Sequence, residues 1–292
     1  LRCRGIKIEF SIGYGDYLVF EIDRIIQAAL IEDIGSGDIT TLSTVPKGTP
    51  SRAQLVAKED FVLAGMDVVE RVFTLLDNTV AFEALKQDGE QIARGDVLAW
   101  IKGDAHTLLQ GERVALNLMQ RMSGIATHTA AFVEAVAGTD AIIVDTRKTM
   151  PGLRVLDKYS VRMGGGQNHR TSLYDGVLIK ENHIAAAGGI TAAVAGARKR
   201  APHTLKIEVE TESLQDVQEA LDAGADIIML DNMSLDMLRE AVALINGRAV
   251  TEASGGVNLE TVTEIAKTGV NLISVGALTH SSCAVDISML FQ

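Results

Sequence analysis

Aromatic side chains are scarce in this 292-residue chain, at 4%, with a single tryptophan. Stacking platforms for single-stranded nucleic acid are built from such rings, so that class of binder is disfavoured. Positive charge is also short. Lysine and arginine number 27 against 38 acids, a formal net charge of -11, which opposes generic binding to nucleic acid or to an anionic membrane surface. Cysteine occurs twice, at Cys3 and Cys283, without metal-site or redox spacing, so neither a zinc module nor a structural disulfide is expected and the cytoplasm is the natural compartment. No apolar run reaches the roughly 18 residues of a membrane span. Residues 1–20 begin basic and then apolar, but Glu9, Asp16 and two glycines interrupt any signal-like core. They are read as an extension, expected to be poorly ordered.

What the chain does have is a set of six short apolar runs in its second half, each ending in a charged or phosphate-friendly residue. They are AIIVDTRK (141–148), GVLIKE (176–181), KIEVE (206–210), DIIMLD (226–231), AVTEASGG (249–256) and NLISVGA (271–277). Helix-spaced segments rich in Ala and Leu separate most of them. Strands alternating with helices predict parallel βα units, buried on both faces. Closed into a barrel, such strands bring their C-terminal ends to one mouth. That would gather Arg147, Lys148, Lys180, Glu210, Asp231, Ser254 and Gly276.

Ahead of this repeat, IDRIIQAALIED (22–33) has helical spacing. Residues 51–104 read as β-rich, and DGEQIARGDVLAWIKGD (88–104) has the rhythm of a hairpin and of hammerhead or biotinyl-type modules. The attachment lysine of a swinging arm is missing. A long helix is predicted over 105–137.

The chemistry is concentrated between Arg147 and Lys180, where seven lysines and arginines face two acids, Asp157 and Asp175. For any single cation a solvated surface is the ordinary reading. GGGQNHR (164–170), however, couples glycines that admit a ligand near the backbone to His169 and Arg170, which carry several donors. Arginine matches carboxylates with its planar fork, and lysine serves phosphate as a point charge. Glu208 and Glu210 share one face of KIEVE, and Asp231 closes its strand; such acids hold Mg²⁺, accept from sugar hydroxyls, or form buried ion pairs. Ser254-Gly255-Gly256 and Gly276 end the last two strands, where barrel enzymes frequently bind phosphate. A small polyanionic ligand with a phosphate at one end is expected.

The string DTRKTMPGLRVLDKYSVRMGGGQNHR (145–170) resembles the signature of quinolinate phosphoribosyltransferase, the carboxylating nicotinate-nucleotide pyrophosphorylase family. The likeness extends through EDIGSGDITT (32–41), GERVALNLMQRMSGIAT (111–127), LIKENHI (178–184), IEVETESL (207–214), IIMLDNM (227–233), EASGGV (252–257) and ISVGALTHS (273–281). The resemblance implies an α/β protein: an N-terminal open α/β sandwich, hammerhead-like, over 21–118 with 280–292 packing back onto it, and an incomplete seven-stranded α/β barrel over 119–279. It further implies a homodimer, or a higher oligomer built from it, and transfer of phosphoribose from 5-phosphoribosyl 1-pyrophosphate to quinolinate with loss of CO₂ and a requirement for Mg²⁺. Arg113, Arg147, His169 and Arg170 would grip the quinolinate carboxylates, Arg113 reaching in from the neighbouring subunit. Lys148 and Lys180 would lie between quinolinate and the phosphates, Glu210 and Asp231 would meet ribose hydroxyls and metal, and Ser254, Gly255, Gly256 and Gly276 would line the 5-phosphate end. Two other enzymes share part of this pattern. A Schiff-base aldolase would use Lys180 as its amine, and a paralogue of the same fold, such as those found beside molybdate-transport genes, would take another ring acid. A binding protein that kept the fold without the chemistry is disfavoured, because every motif position holds the expected residue type.

Overall fold

The computed structural model describes residues 15–292, so the expectation for the extension lies outside the described residues up to position 14. Positions 15–20 belong instead to the first helix. The chain divides into two compact units. One takes in the residues up to Thr127, then Met150–Gly164 and Ser282–Gln292; the other is His128–Thr149 with Gly165–Ser281.

The first unit contains α1 (Gly15–Ile34), α2 (Ile39–Thr44), β1 (Pro50–Ala57), β2 (Phe61–Val62), α3 (Met66–Leu76), β3 (Ala81–Ala84), β4 (Gln91–Ile92) and β5 (Val97–Asp104). It also holds most of α4 (Ala105–Ala135) and the later helix α5 (Arg154–Met163). β1, β5 and β3 form an antiparallel sheet, extended at the β1 edge by the C-terminal strand Ile287–Phe291. Alternation in β1 and β5 sends Leu55, Ala99 and Ile101 to one face of the sheet, where they are buried with no exposure. α3 buries Val69, Val72 and Phe73 at helical spacing, and the Asp88 carboxylate accepts the N–H groups of Gly65 (2.8 Å) and Met66 (3.0 Å) at its start. The segment entering the C-terminal strand runs hard against α4. A Cβ on Gly124 would stand 2.0 Å from the Cys283 carbonyl oxygen, so only glycine allows that approach.

Two details depart from the sequence reading. β4 pairs with β2, and β5 with β1 and β3, so the glycine-punctuated run 88–104 folds as a turn between two sheets and not as a hairpin. α5 lies inside the basic string yet groups with the first unit, taking Arg154, Lys158 and Arg162 with it. The cationic run is thus divided; in the linear sequence a helix face and a loop of the same charge look alike.

The second unit is the parallel one. Its strands are β6 (Ile142–Val144), β7 (Val177–Ile179), β8 (Ile207–Thr211), β9 (Ile227–Asp231), β10 (Val250–Ser254) and β11 (Leu272–Ser274). Helices α6 (Glu181–Ala187), α7 (Ile190–Arg200), α8 (Leu214–Asp222), α9 (Leu235–Ile245), α10 (Val262–Ala266) and α11 (Ala277–His280) alternate with them, and the C-terminal strand is β12. Ser213 and Ser234 cap α8 and α9, accepting from the N–H groups of Asp216 and Met237. The sheet order is β6-β11-β10-β9-β8-β7, all parallel. A seventh strand position is reduced to one residue: Gln167 bridges Val144 on the far side of β6, its N–H donating to Ile143 and its carbonyl accepting from Asp145. Among the described residues no ladder joins Gln167 to β7, so the barrel is incomplete at that place.

Candidate active site

Residues paired across a parallel ladder point to the same face, so the register alone sorts the inward side chains. Glu208 and Glu210 on β8 pair with Ile227 and Met229 on β9; Met229 and Asp231 pair with Glu252 and Ser254 on β10; Glu252 pairs with Leu272 on β11. One face of this sheet therefore carries Glu208, Glu210, Asp231, Glu252 and Ser254. At the C-terminal ends of the same strands follow Arg147 and Lys148 after β6, His169 and Arg170 after Gln167, Lys180 after β7, Gly255 and Gly256 after β10, and Gly276 after β11. Every sequence-derived site residue except Arg113 is in this unit. Arg113 is exposed on α4, in the first unit.

The loop after Gln167 is anchored from below. Buried Asp145 accepts the His169 N–H at 2.9 Å and the Asn168 amide at 2.6 Å. His169 Nδ1 accepts the N–H of Arg170 at 2.7 Å, and Nε2 lies 2.9 Å from Glu208 Oε2. A ring nitrogen that accepts carries no proton, so the proton of the neutral imidazole sits on Nε2 and is donated to Glu208. Arg170 donates to the Gly176 carbonyl at 3.0 Å. Burial first, then the nearby Arg147 guanidinium, lower its proton affinity, which brings the two arginines into one electrostatic neighbourhood. Arg170 stays charged all the same, as arginine does throughout the working range.

Lys180 forms an ion pair with Glu210, and the Lys180 N–H donates to His183 Nδ1 at 3.0 Å, seating the lysine at the start of α6. An amine held against a carboxylate lacks the apolar setting of a Schiff-base lysine. Asp231 accepts from the Asn232 amide at 2.7 Å, and the Asn232 N–H donates to the Ser254 carbonyl at 2.9 Å. Gly255 has φ +92°, and a Cβ there would fall 2.1 Å from Asn232 Oδ1. A Cβ on Gly276 would meet Lys148 Cδ at 2.8 Å, and Thr279 donates to the Lys148 carbonyl at 2.8 Å. Lys148 is thus laid against the backbone of the last βα turn. Gly256 has φ +62° and open space around it.

Glu252 was absent from the residues singled out in the sequence, although alternation within VTEAS puts it on the face of Ser254. It is completely buried. Burial, and then the charge of Glu208, push its carboxyl up to about 8. Glu208, for which a buried ion pair was one reading, has His169 as its hydrogen-bond partner.

Models of two families match the chain: the quinolinate phosphoribosyl transferase N-terminal domain over residues 38–123 and the C-terminal domain over 125–290. A probable nicotinate-nucleotide pyrophosphorylase [carboxylating] of Bacillus subtilis is 46% identical over 92% of this chain and 93% of its own length. One from Synechocystis is 48% identical over 92% of each. Among solved structures, NadC from Streptococcus pyogenes superposes with a TM-score of 0.89 at 46% identity, covering 92% of this chain and 95% of that one. The nicotinate-nucleotide pyrophosphorylase of Francisella tularensis gives 0.90 at 38%, covering 94% and 96%. With both halves of its sequence and its two-unit fold matched over nearly their whole length, the chain belongs to the quinolinate phosphoribosyl transferase family.

Proposed function

We propose that the chain joins quinolinate to 5-phosphoribosyl 1-pyrophosphate and decarboxylates the product, yielding nicotinate mononucleotide, pyrophosphate and CO₂ for NAD synthesis. The observation that carries this reading is the match of both domain models and of relatives named for that reaction. The pyridine nitrogen attacks the anomeric carbon as its bond to pyrophosphate breaks. The ring nitrogen, now cationic, takes up the electron pair left when the neighbouring carboxylate departs, and a proton replaces CO₂ on that carbon.

The site's charges suit these steps. Arg147 and Arg170 offer planar forks to a dicarboxylate, and Lys148 and Lys180 offer point charges to phosphate. Ser254 and the glycine turns at Gly255, Gly256 and Gly276 are suited to the 5-phosphate end. Glu210 and Asp231 face the place where oxocarbenium charge would develop, and fixed carboxylates there stabilise it without a covalent intermediate. Positioning two bound reactants accounts for much of the remaining rate.

Mg²⁺ fits this donor set. Glu210 and Asp231 supply hard carboxylate oxygens at adjacent strand ends, and a magnesium ion takes its other ligands from phosphate and water. Those two residues would hold it, and it would neutralise charge on the departing pyrophosphate. The protein acts as a cytoplasmic homodimer or a larger assembly of it, in which exposed Arg113 reaches a neighbouring subunit's site. The test is an assay that follows nicotinate mononucleotide and CO₂ together, with and without Mg²⁺. Both products appearing in equal amounts supports the reading; neither product from folded protein overturns it and points to another ring acid.

A further inference from the structure

Among the described residues, both oxygens of Glu252 and Oε1 of Glu208 are buried without a hydrogen-bond partner. Two ionised carboxylates in one desolvated space repel, whereas a single proton lets one donate to the other. The His169 ring nitrogen and the two carboxylates lie within 4.8 Å of one another, a spacing that also suits a metal ion. The ring argues against that use. His169 Nδ1 already accepts the Arg170 N–H, so Nε2 holds the proton and has no lone pair to give.

We propose that Glu252 is a positioning residue: it keeps its proton, donates it to Glu208, and thereby makes Glu208 a fixed acceptor for His169 Nε2–H, which through Nδ1 sets the backbone from which Arg170 meets the substrate. The proposal rests on the ring-acid reading given above only for its kinetic arm. The groups facing Glu252 are few. Glu208 comes from β8, His169 from the loop after Gln167, and the Ser274 hydroxyl from β11, while its ladder neighbour on β9 is the apolar Met229. Asp145 at the end of β6 holds the His169 N–H, and Arg170, with Arg147 near it, completes the charged surroundings.

The full chain is compared as wild type, Glu252→Gln and Glu252→Ala. KM for quinolinate and for 5-phosphoribosyl 1-pyrophosphate is measured on both sides of about pH 8. In parallel, ¹⁵N-histidine NMR of the substrate-free protein reads the ring protonation of His169, assigned with a His169→Asn variant. Glu252→Ala is expected to raise the quinolinate KM about ten- to a hundredfold, the range for losing a supporting hydrogen bond to a charged group, and to leave the phosphoribosyl donor's KM within about twofold. Glu252→Gln, whose amide still donates, recovers most of that loss. Wild-type kcat/KM for quinolinate falls above about pH 8, and this fall is absent in Glu252→Gln. His169 is a neutral Nε2–H ring in wild type and Glu252→Gln. An equal rise of both KM values, an alkaline fall retained in Glu252→Gln, or a wild-type ring protonated on Nδ1 overturns the proposal. Should the chain fail to turn over quinolinate, the function reading falls, and the NMR arm, which needs no substrate, still decides this one. If Glu252→Ala does not fold, Glu252→Gln carries both the pH and the NMR comparison.

Discussion

Asp157 in the first unit and Glu252 in the second are both completely buried, and the two are treated in opposite ways. In the first, Asp157 receives both ends of the Arg121 guanidinium, at 2.9 and 2.8 Å, and the Met150 N–H at 3.0 Å. In the second, Glu252 is equally buried, and among the described residues neither of its oxygens has a hydrogen-bond partner, His169 Nε2 standing off at 3.6 Å. The first arrangement satisfies a charge and fixes α5 to α4. The second keeps a group poised between two protonation states. A buried acid with a full set of partners belongs to the architecture; one left short of them is a candidate for the chemistry.

Breaking each side of this contrast gives effects of decreasing size. Arg147→Ala should lower quinolinate turnover by about 10²–10³-fold, as loss of one preorganised charge does, with the unfolding midpoint unchanged; an equal loss of affinity for both substrates in direct titration would remove Arg147 from the carboxylate grip. Arg121→Ala should destabilise by about 3–5 kcal/mol in denaturant unfolding, because it strands Asp157 in the interior. A cost near zero would mean that Asp157 finds other partners. Gly255→Ala should cost about 1–3 kcal/mol, since a side chain there must be forced into a positive φ and against Asn232. The smallest effect sharpens the comparison most. Glu252 has a folded value above its ordinary 4.5, so between about 4.5 and about 8 the folded chain holds a proton that the unfolded chain has released. Its contribution to stability therefore falls as pH rises through that window and is level above it. The midpoint of Glu252→Gln relative to wild type should climb over the same window and then flatten.

Much of this was legible in the sequence for a physical reason. Parallel strands buried on both faces appear as unbroken apolar runs, and the first polar residue after each marks the mouth, which is how Lys180, Asp231 and Ser254 stand out. Long motifs such as EASGGV and LIKENHI then point to the family. What escaped notice has equally plain causes. Gln167 is a strand of one residue and has no periodicity to detect. Glu252 sits in a run that draws the eye to its glycine turn, although counting by twos from Ser254 reaches it. α5 is basic like the loops around it, and only its buried side, Leu156, Asp157 and Val161, tells that it packs as a helix of the first unit. The pairing of β4 with β2 depends on contacts some thirty residues apart that no local turn signal contains.

The missing ladder between Gln167 and β7 has a further consequence. In a closed barrel the strand positions on either side of every loop are held in one continuous ladder; among the described residues, none joins Gln167 to β7. The segment crossing the gap carries Leu173 and Tyr174 at 70% and 72% exposure, and neither belongs to a strand. New termini introduced between those two residues would leave every ladder of the sheet intact, so the gap is a seam at which the protein can be re-threaded, split for complementation, or lengthened to alter what enters the mouth.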